Sequence, residues 1–263
     1  MAMQAELTME PITAGTFCWN ELATRATEKS AEFYCKVFGW TTESSDCGGM
    51  EYTVFKKDDC PVGGMLKMDE NWPDDVPSYW GCYISTDDVD SMARKSTEIG
   101  GTLCCEPQEA GDEGRFAVIT DPTGATFSIF KGGDGKNPKG HGSFCWNELL
   151  TNDMDAASSF YTELFGWTAE ASHTSQEPYT VFMNGEVWAG GMMKMSWEGQ
   201  PAWLSYISVA NVDETTAKAV ELGANICFEP SDIPSIGRFS VFTDPVGATI
   251  ACFTGLSECC SDD

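Results

Sequence analysis

Phe17-Cys18-Trp19-Asn20-Glu21-Leu22 returns unchanged 127 residues later as Phe144-Cys145-Trp146-Asn147-Glu148-Leu149. At the same spacing Phe38-Gly39-Trp40 meets Phe165-Gly166-Trp167, Tyr52-Thr53-Val54-Phe55 meets Tyr179-Thr180-Val181-Phe182, and Gly63-Gly64-Met65 meets Gly190-Gly191-Met192. Beyond Met68 the spacing falls to 123, so that Tyr83-Ile84-Ser85 matches Tyr206-Ile207-Ser208, Gly114-Arg115-Phe116 matches Gly237-Arg238-Phe239, and Thr120-Asp121-Pro122 matches Thr243-Asp244-Pro245. The chain holds two copies of one plan. The four residues missing from the second copy fall between Met195 and Tyr206, and a surface connection tolerates such a change without loss of register.

Within a copy the pattern alternates between periods. Phe17 to Leu22 reads as a strand, with Phe17, Trp19 and Glu21 on one face and Cys18, Asn20 and Leu22 on the other. Thr27 to Phe38 places Ala31, Tyr34, Cys35 and Phe38 at helical spacing, with Thr27 as a cap and Gly39 as the stop. Three short strands follow, at Thr41 to Glu43, Tyr52 to Lys57 and Gly64 to Met68. Trp80 to Ser85 opens a second unit with a helix from Asp88 to Ile99, and strands near 102–106, 115–120 and 126–131, the last two joined by the turn Asp121-Pro122-Thr123-Gly124. The second copy repeats this with helices at Asp153 to Phe165 and Val212 to Leu222. The expected fold class is α+β, with four βαβββ units. The expected divisions are a loose lead-in over 1–14, a first domain over 15–131, a Gly- and Lys-rich linker over 132–142, a second domain over 143–255, and a tail over 256–263.

Composition narrows the function. The chain has 263 residues, enough for two cores. Forty-one acidic against 15 basic residues give a net charge of −26, which repels phosphate backbones and argues against nucleic acid as a partner. No apolar run reaches the length of a membrane span, and the N-terminus lacks a basic start and an apolar stretch, so the expected location is the cytoplasm. The twelve cysteines lack zinc-ribbon or disulfide-scaffold spacing; Cys18, Cys145, Cys104 and Cys227 read as small buried hydrophobes. Cys259 and Cys260 read as part of a frayed tail.

The unit order, the helix end Phe33-Tyr34-x-x-Val37-Phe38-Gly39-Trp40, and the Asp-Pro-x-Gly turn before the last strand resemble the vicinal oxygen chelate superfamily, which includes glyoxalase I, bleomycin-binding proteins and extradiol dioxygenases. The resemblance covers about 14–131 and 141–254, and is closest to tandem glyoxalase-like proteins. It implies two curved eight-stranded sheets, each with a ligand on its concave face, and in metal-dependent members four His, Gln or Glu side chains holding a divalent cation. The corresponding positions here are Trp19 and Trp146, Ser128 and Ala251, the neighbourhoods of Gly81 and Leu204, and those of Gly64 and Gly191. None is a strong metal ligand, and the two histidines, His141 and His173, fall in the linker and in a Ser/Thr-rich loop. No metal or other cofactor is expected.

The expected site is an aromatic-lined cleft with one carboxylate. Glu21 and Glu148 are the candidate catalytic or anchoring groups, and Phe17, Trp19, Ser128, Phe144, Trp146 and Phe253 the candidate ligand contacts. The alternative for the glutamates is a packing role with Arg115 or Arg238 as partner. Trp40 and Trp167 are expected to cover the helix ends. Trp188, Trp197 and Trp203 read as peculiar to the second copy and mark it as the better candidate for an altered pocket. Two functions fit: a binding protein for a small aromatic or carbonyl-containing molecule, or a lyase or isomerase acting on a small carbonyl compound with Glu21 or Glu148 moving the proton. The partner is then a small molecule, and the chain a monomer or homodimer.

Overall fold

A computed structural model of the protein describes residues 7–47, 50–133, 136–172 and 178–256. In chain order the elements are β1 (Thr8–Pro11), β2 (Phe17–Thr24), α1 (Thr27–Phe38), β3 (Thr41–Cys47), β4 (Met50–Lys57), β5 (Cys60–Lys67), β6 (Tyr79–Ser85), α2 (Val89–Glu98), β7 (Thr102–Glu109), β8 (Gly114–Thr120), β9 (Thr126–Gly132) and β10 (Lys136–Lys139). The second copy supplies β11 (Phe144–Thr151), α3 (Met154–Phe165), β12 (Thr168–Ser172), β13 (Tyr179–Asn184), β14 (Val187–Lys194), β15 (Ala202–Ser208), α4 (Val212–Glu221), β16 (Asn225–Ile233), β17 (Gly237–Thr243) and β18 (Thr249–Gly255). His173, Cys259 and Cys260 lie outside the described residues.

Each copy forms one curved eight-stranded sheet. The first runs β3-β4-β5-β2-β6-β9-β8-β7 and the second β12-β13-β14-β11-β15-β18-β17-β16. In the middle of each sheet the opening strands of the two βαβββ units lie antiparallel, β2 on β6 and β11 on β15. Each of these four strands pairs in parallel with the last strand of its own unit: β2 with β5, β6 with β9, β11 with β14 and β15 with β18. The helices pack on one face, and glycine ends the first helix of each copy: Gly39 at φ 69° and Gly166 at φ 74° take the left-handed conformation that a Cβ disfavours. Asp88, Asp153 and Asn211 cap α2, α3 and α4 by accepting a backbone N–H. Thr27 does not cap α1: it is the first helical residue, after Ala26, which makes no side-chain cap.

The two cores cross between the copies. One joins Leu22, Phe33, Tyr34, Trp40, Phe55 and Trp80 to Ile207, Val212, Phe242, Ile250 and Cys252. The other joins Ile84, Ala93, Ile119, Phe127 and Ile129 to Leu149, Phe160, Tyr161, Trp167, Phe182 and Trp203. The sheets therefore pack back to back, their central strands meeting directly and their helices flanking that contact, α1 beside α4 and α2 beside α3. Burying these aromatics gives each copy a core that it would lack alone.

Polar side chains set the register of this junction. Tyr34 donates to Asp244 at 2.8 Å and receives the Trp80 indole N–H at 2.8 Å. In the other copy Tyr161 donates to Asp121 at 2.9 Å and receives Trp203 at 2.9 Å. Trp203 is thus the repeat partner of Trp80, not a feature peculiar to the second copy. At the centre, Asn20 donates to Asn147 and Ser205 at 2.9 and 2.8 Å, and all three are buried.

The lead-in and linker are more ordered than their composition suggests. β1 pairs antiparallel with β10, Trp167 donates to the Gly15 carbonyl at 2.9 Å, and Trp40 donates to that of Gly142 at 2.8 Å. Each tryptophan just past a helix end so pins one of the two connections. Cys104 and Cys227 are exposed rather than buried, because β7 and β16 are edge strands with one side unpaired.

Candidate functional site

The face of each sheet turned away from the helices holds the candidate site. On β2, Glu21 lies between two glycines, Gly64 on β5 and Gly81 on β6. One row along, Trp19 lies beside Tyr83, which lies beside Ser128 on β9. Tyr83 donates to a Glu21 carboxylate oxygen at 2.9 Å, and Tyr52, from β4, gives the carboxylate a second hydrogen bond. Trp19 in turn donates its indole N–H to the Tyr52 hydroxyl at 2.9 Å. Gly64 makes this possible: a Cβ there would stand 1.9 Å from the Tyr52 hydroxyl.

The second copy repeats the arrangement with one face more closed. Tyr206 donates to Glu148 at 2.9 Å, Tyr179 bonds the same carboxylate, and Trp146 donates to Tyr179 at 3.0 Å. A Cβ on Gly191 would again fall 1.9 Å from a tyrosine hydroxyl, that of Tyr179. Opposite Glu148, however, stands Leu204 where the first copy has Gly81, and Glu148 is 6% exposed whereas Glu21 is partly open. Leu204, Tyr206 and Ala251 pack there with Trp146, Leu150, Phe239 and Phe253. The aromatic surface continues outward to Trp188, 6.2 Å from Trp146, and to Phe228, stacked on Phe239 at 5.0 Å.

Burial raises the carboxyl pKa of both glutamates, and the tyrosine hydrogen bonds pull it partly back. A raised folded value means that the folded chain holds the proton more tightly than the unfolded one. Stability linked to Glu148 is therefore fully present below the ordinary carboxylate range and is lost as pH rises through the folded value. Glu148→Gln removes this titration. Its melting temperature relative to wild type is expected to be higher at pH 8 than at pH 4, by roughly 2–4 °C for each kcal/mol recovered. Parallel pH profiles of the two proteins would contradict the assignment.

Of the expected contacts, Trp19, Glu21 and Ser128 come together in the first sheet, and Trp146, Glu148 and Phe253 in the second. Phe17 and Phe144 do not. A bulge at Cys18 breaks the alternation, since Phe17 pairs with Ile84 while Trp19 pairs with the adjacent Tyr83. Phe17 is thereby turned to the helical side, where its ring lies 5.1 Å from that of Trp203. Phe144, turned by the equivalent bulge at Cys145, lies 5.1 Å from Trp80. The arginines do not hold the glutamates: Arg115 binds Asp90 and Glu109, and Arg238 binds Asp213 and Asp232. The tyrosines hold them, and their recurrence at both repeat spacings was the available signal. His141 contacts Ser208 at 3.1 Å, away from both glutamates. A cavity of about 450 Å³ beside Arg238 and the start of α4 shares no residue with either glutamate cluster.

These donors do not fit a divalent-ion centre. The Trp19 indole N–H has no lone pair to give, Gly64 and Gly81 have no side chain, and the Ser128 hydroxyl is neutral. Glu21 is the one anionic oxygen donor of the set, and phenol hydroxyls already face it. Divalent centres in proteins take several His, Cys or carboxylate ligands, and among the described residues no group of three or more such side chains converges.

The description Glyoxalase/Bleomycin resistance protein/Dioxygenase superfamily belongs to the family model that matches residues 16–129 and 144–252. "Putative glyoxylase CFP32" of Mycobacterium tuberculosis (strain CDC 1551 / Oshkosh) is 35% identical over 89% of this chain and 92% of that protein. The anthracycline biosynthesis protein DnrV of Streptomyces peucetius is 31% identical over 91% of this chain and 93% of its own. In fold the chain is similar to the Mn(II)-bound glyoxalase from Novosphingobium aromaticivorans, with a TM-score of 0.64 and 17% identity, covering 92% of this chain and 82% of that one. Two repeats of one family model, on two sheets of the same strand order, place this chain in the glyoxalase/bleomycin resistance protein/dioxygenase superfamily.

Proposed function

We propose that this chain binds a small aromatic or carbonyl-containing molecule on the outer face of its sheets, above all the first, without a resident metal. The observation that carries the reading is Glu21, flanked by two glycines and held by two tyrosines on an aromatic face. A carboxylate in this setting fixes the orientation of a flat ligand, while Trp19, Tyr83, Phe116 and Phe130 offer ring surface; Tyr83 lies 6.5 and 6.3 Å from the last two. The relative named for anthracycline biosynthesis suits a fused-ring carbonyl compound as the ligand. The acidic surface adds no attraction for nucleic acid, and among the described residues no helix is long and apolar enough to cross a membrane. The two copies already bury their helical faces against each other, so a monomer suffices.

A second reading is favoured by the raised carboxyl pKa. A glutamate that titrates nearer neutrality is suited to taking and returning a proton, as a lyase or isomerase acting on a carbonyl compound requires. Under both readings Glu21 matters most. Titration of metal-stripped protein with 2-hydroxyanthraquinone, followed by tryptophan fluorescence, is expected to saturate, and Glu21→Gln to weaken binding by about tenfold or more. Equal affinity of variant and wild type would remove Glu21 from the site.

A further inference from the structure

Besides Ser128 against Ala251, the two outer faces differ at two alternate positions of one central strand. Tyr79 on β6 stands where the second copy has Ala202, and Gly81 where it has Leu204. Gly81 lies directly across from Glu21, and the Tyr79 ring leans over it, with an edge carbon 3.5 Å from where a Gly81 Cβ would be. Tyr79 is therefore brought toward Glu21 by the absence of a side chain at position 81, and the Glu21 charge reaches it. Burial and, after it, that charge push the Tyr79 phenol up to about 12, so it stays a neutral O–H donor at physiological pH.

The direction of the hydrogen bonds separates Tyr79 from its neighbours. Trp19 gives its N–H to Tyr52, and both Tyr52 and Tyr83 give their O–H to Glu21. These donors are spent on the carboxylate, which in its ionised form can only accept further. Tyr79 is partly exposed, and among the described residues its hydroxyl makes no hydrogen bond. The first face thus offers one carboxyl acceptor and, within reach of its charge, one neutral donor. The second face offers the acceptor alone, under Leu204.

Resting on the ligand-binding reading above, we propose that Glu21 and Tyr79 form a discriminating pair that takes an aromatic molecule bearing both a hydroxyl and a carbonyl, the hydroxyl donating to Glu21 and the carbonyl accepting from Tyr79. Ligands of this class are selected by the first face and not by the second.

Three probes test it on the full chain: 2-hydroxyanthraquinone, its methyl ether 2-methoxyanthraquinone, and 2-hydroxyanthracene, which lacks the carbonyls. Wild type is expected to bind the first at least tenfold more tightly than either of the others. Tyr79→Phe should abolish the preference over 2-hydroxyanthracene while keeping the preference over the methyl ether, and Glu21→Gln should do the reverse. A gain-of-function variant guards against effects of misfolding: Ala202→Tyr combined with Leu204→Gly, made on a Tyr79→Phe background, is expected to restore the preference for the carbonyl in the second face. Equal affinity for all three probes, or a Tyr79→Phe profile identical to wild type, overturns the pair but leaves the binding reading standing. Failure of all three to bind overturns both.

Discussion

Asp244→Ala is expected to lower the melting temperature of this protein by about 6–20 °C, a loss of about 3–5 kcal/mol. Asp244 is 2% exposed. One carboxylate oxygen accepts the backbone N–H groups of Val246 and Ala248, each at 2.9 Å, and closes the turn before β18. The other accepts the Tyr34 hydroxyl of the opposite copy. Alanine leaves the two amides and the phenol without an acceptor, and the Trp80 indole that leans on Tyr34 loses its anchor as well. Removing one partner of a buried set costs far more than the set contributes in net stability, because each orphaned group carries its own desolvation penalty. Asp121→Ala should behave alike, since Asp121 accepts from Thr123, Gly124, Ala125 and Tyr161. Thermal unfolding followed by circular dichroism decides: a loss under about 1 kcal/mol would mean that the two copies are not held through these aspartates.

The second large effect falls on binding with the fold kept. Gly64→Ala puts a methyl group 1.9 Å from the Tyr52 hydroxyl and 2.9 Å from the Trp19 indole nitrogen. The contact is with the far end of the tyrosine, so the ring swings away and the backbone stays. Glu21 then keeps Tyr83 but loses Tyr52, and Trp19 loses its acceptor. Affinity for 2-hydroxyanthraquinone is expected to fall by tenfold or more, with a smaller loss of melting temperature than Asp244→Ala shows. Gly191→Ala makes the same change beside Glu148, where Tyr179 and Trp146 are displaced, and is expected to leave the first face's affinity unaltered. Unchanged binding in Gly64→Ala would show that Tyr52 does not hold Glu21 in the ligand-binding state.

Much of the fold could be read from the chain because the duplication exposes it. Two copies of Phe-Cys-Trp-Asn-Glu-Leu, together with the recurring helix end and Asp-Pro-x-Gly turn, define the four units. What the one-dimensional reading could not show is that the helix tyrosine and the turn aspartate are one contact: Tyr34 meets Asp244 and Tyr161 meets Asp121, across copies and over long sequence separations. Local periodicity carries no information about such pairing. The face assignment failed at Phe17 and Phe144 for a related reason. A bulge at Cys18 or Cys145 shifts the phase of a strand by one residue, and nothing in the alternating pattern marks it. β1 and β10 were missed because two four-residue strands, each containing a proline, read as lead-in and linker.

The candidate site was half legible. Glu21, Glu148 and the two indoles followed from the empty ligand positions, and Gly64 and Gly81 fall beside Glu21 as those positions required. The tyrosines did not follow, although Tyr52 and Tyr83 belong to quoted repeat pairs, because a repeated tyrosine in a strand is ordinarily packing. Only the geometry shows their hydroxyls turned onto a carboxylate. Of the three tryptophans read as peculiar to the second copy, Trp203 is core, like Trp80, whereas Trp188 does extend the second face's aromatic surface.

On the reading proposed above, Glu21 and not a bound metal ion anchors the ligand. Calorimetric titration of chelator-treated protein with 2-hydroxyanthraquinone, alongside Glu21→Gln, tests this most directly. A saturable site is expected in the metal-free wild type, unaffected by added manganese or zinc and weakened about tenfold or more in the variant. Binding that appears only when a divalent ion is restored, or that is the same in both proteins, would contradict it.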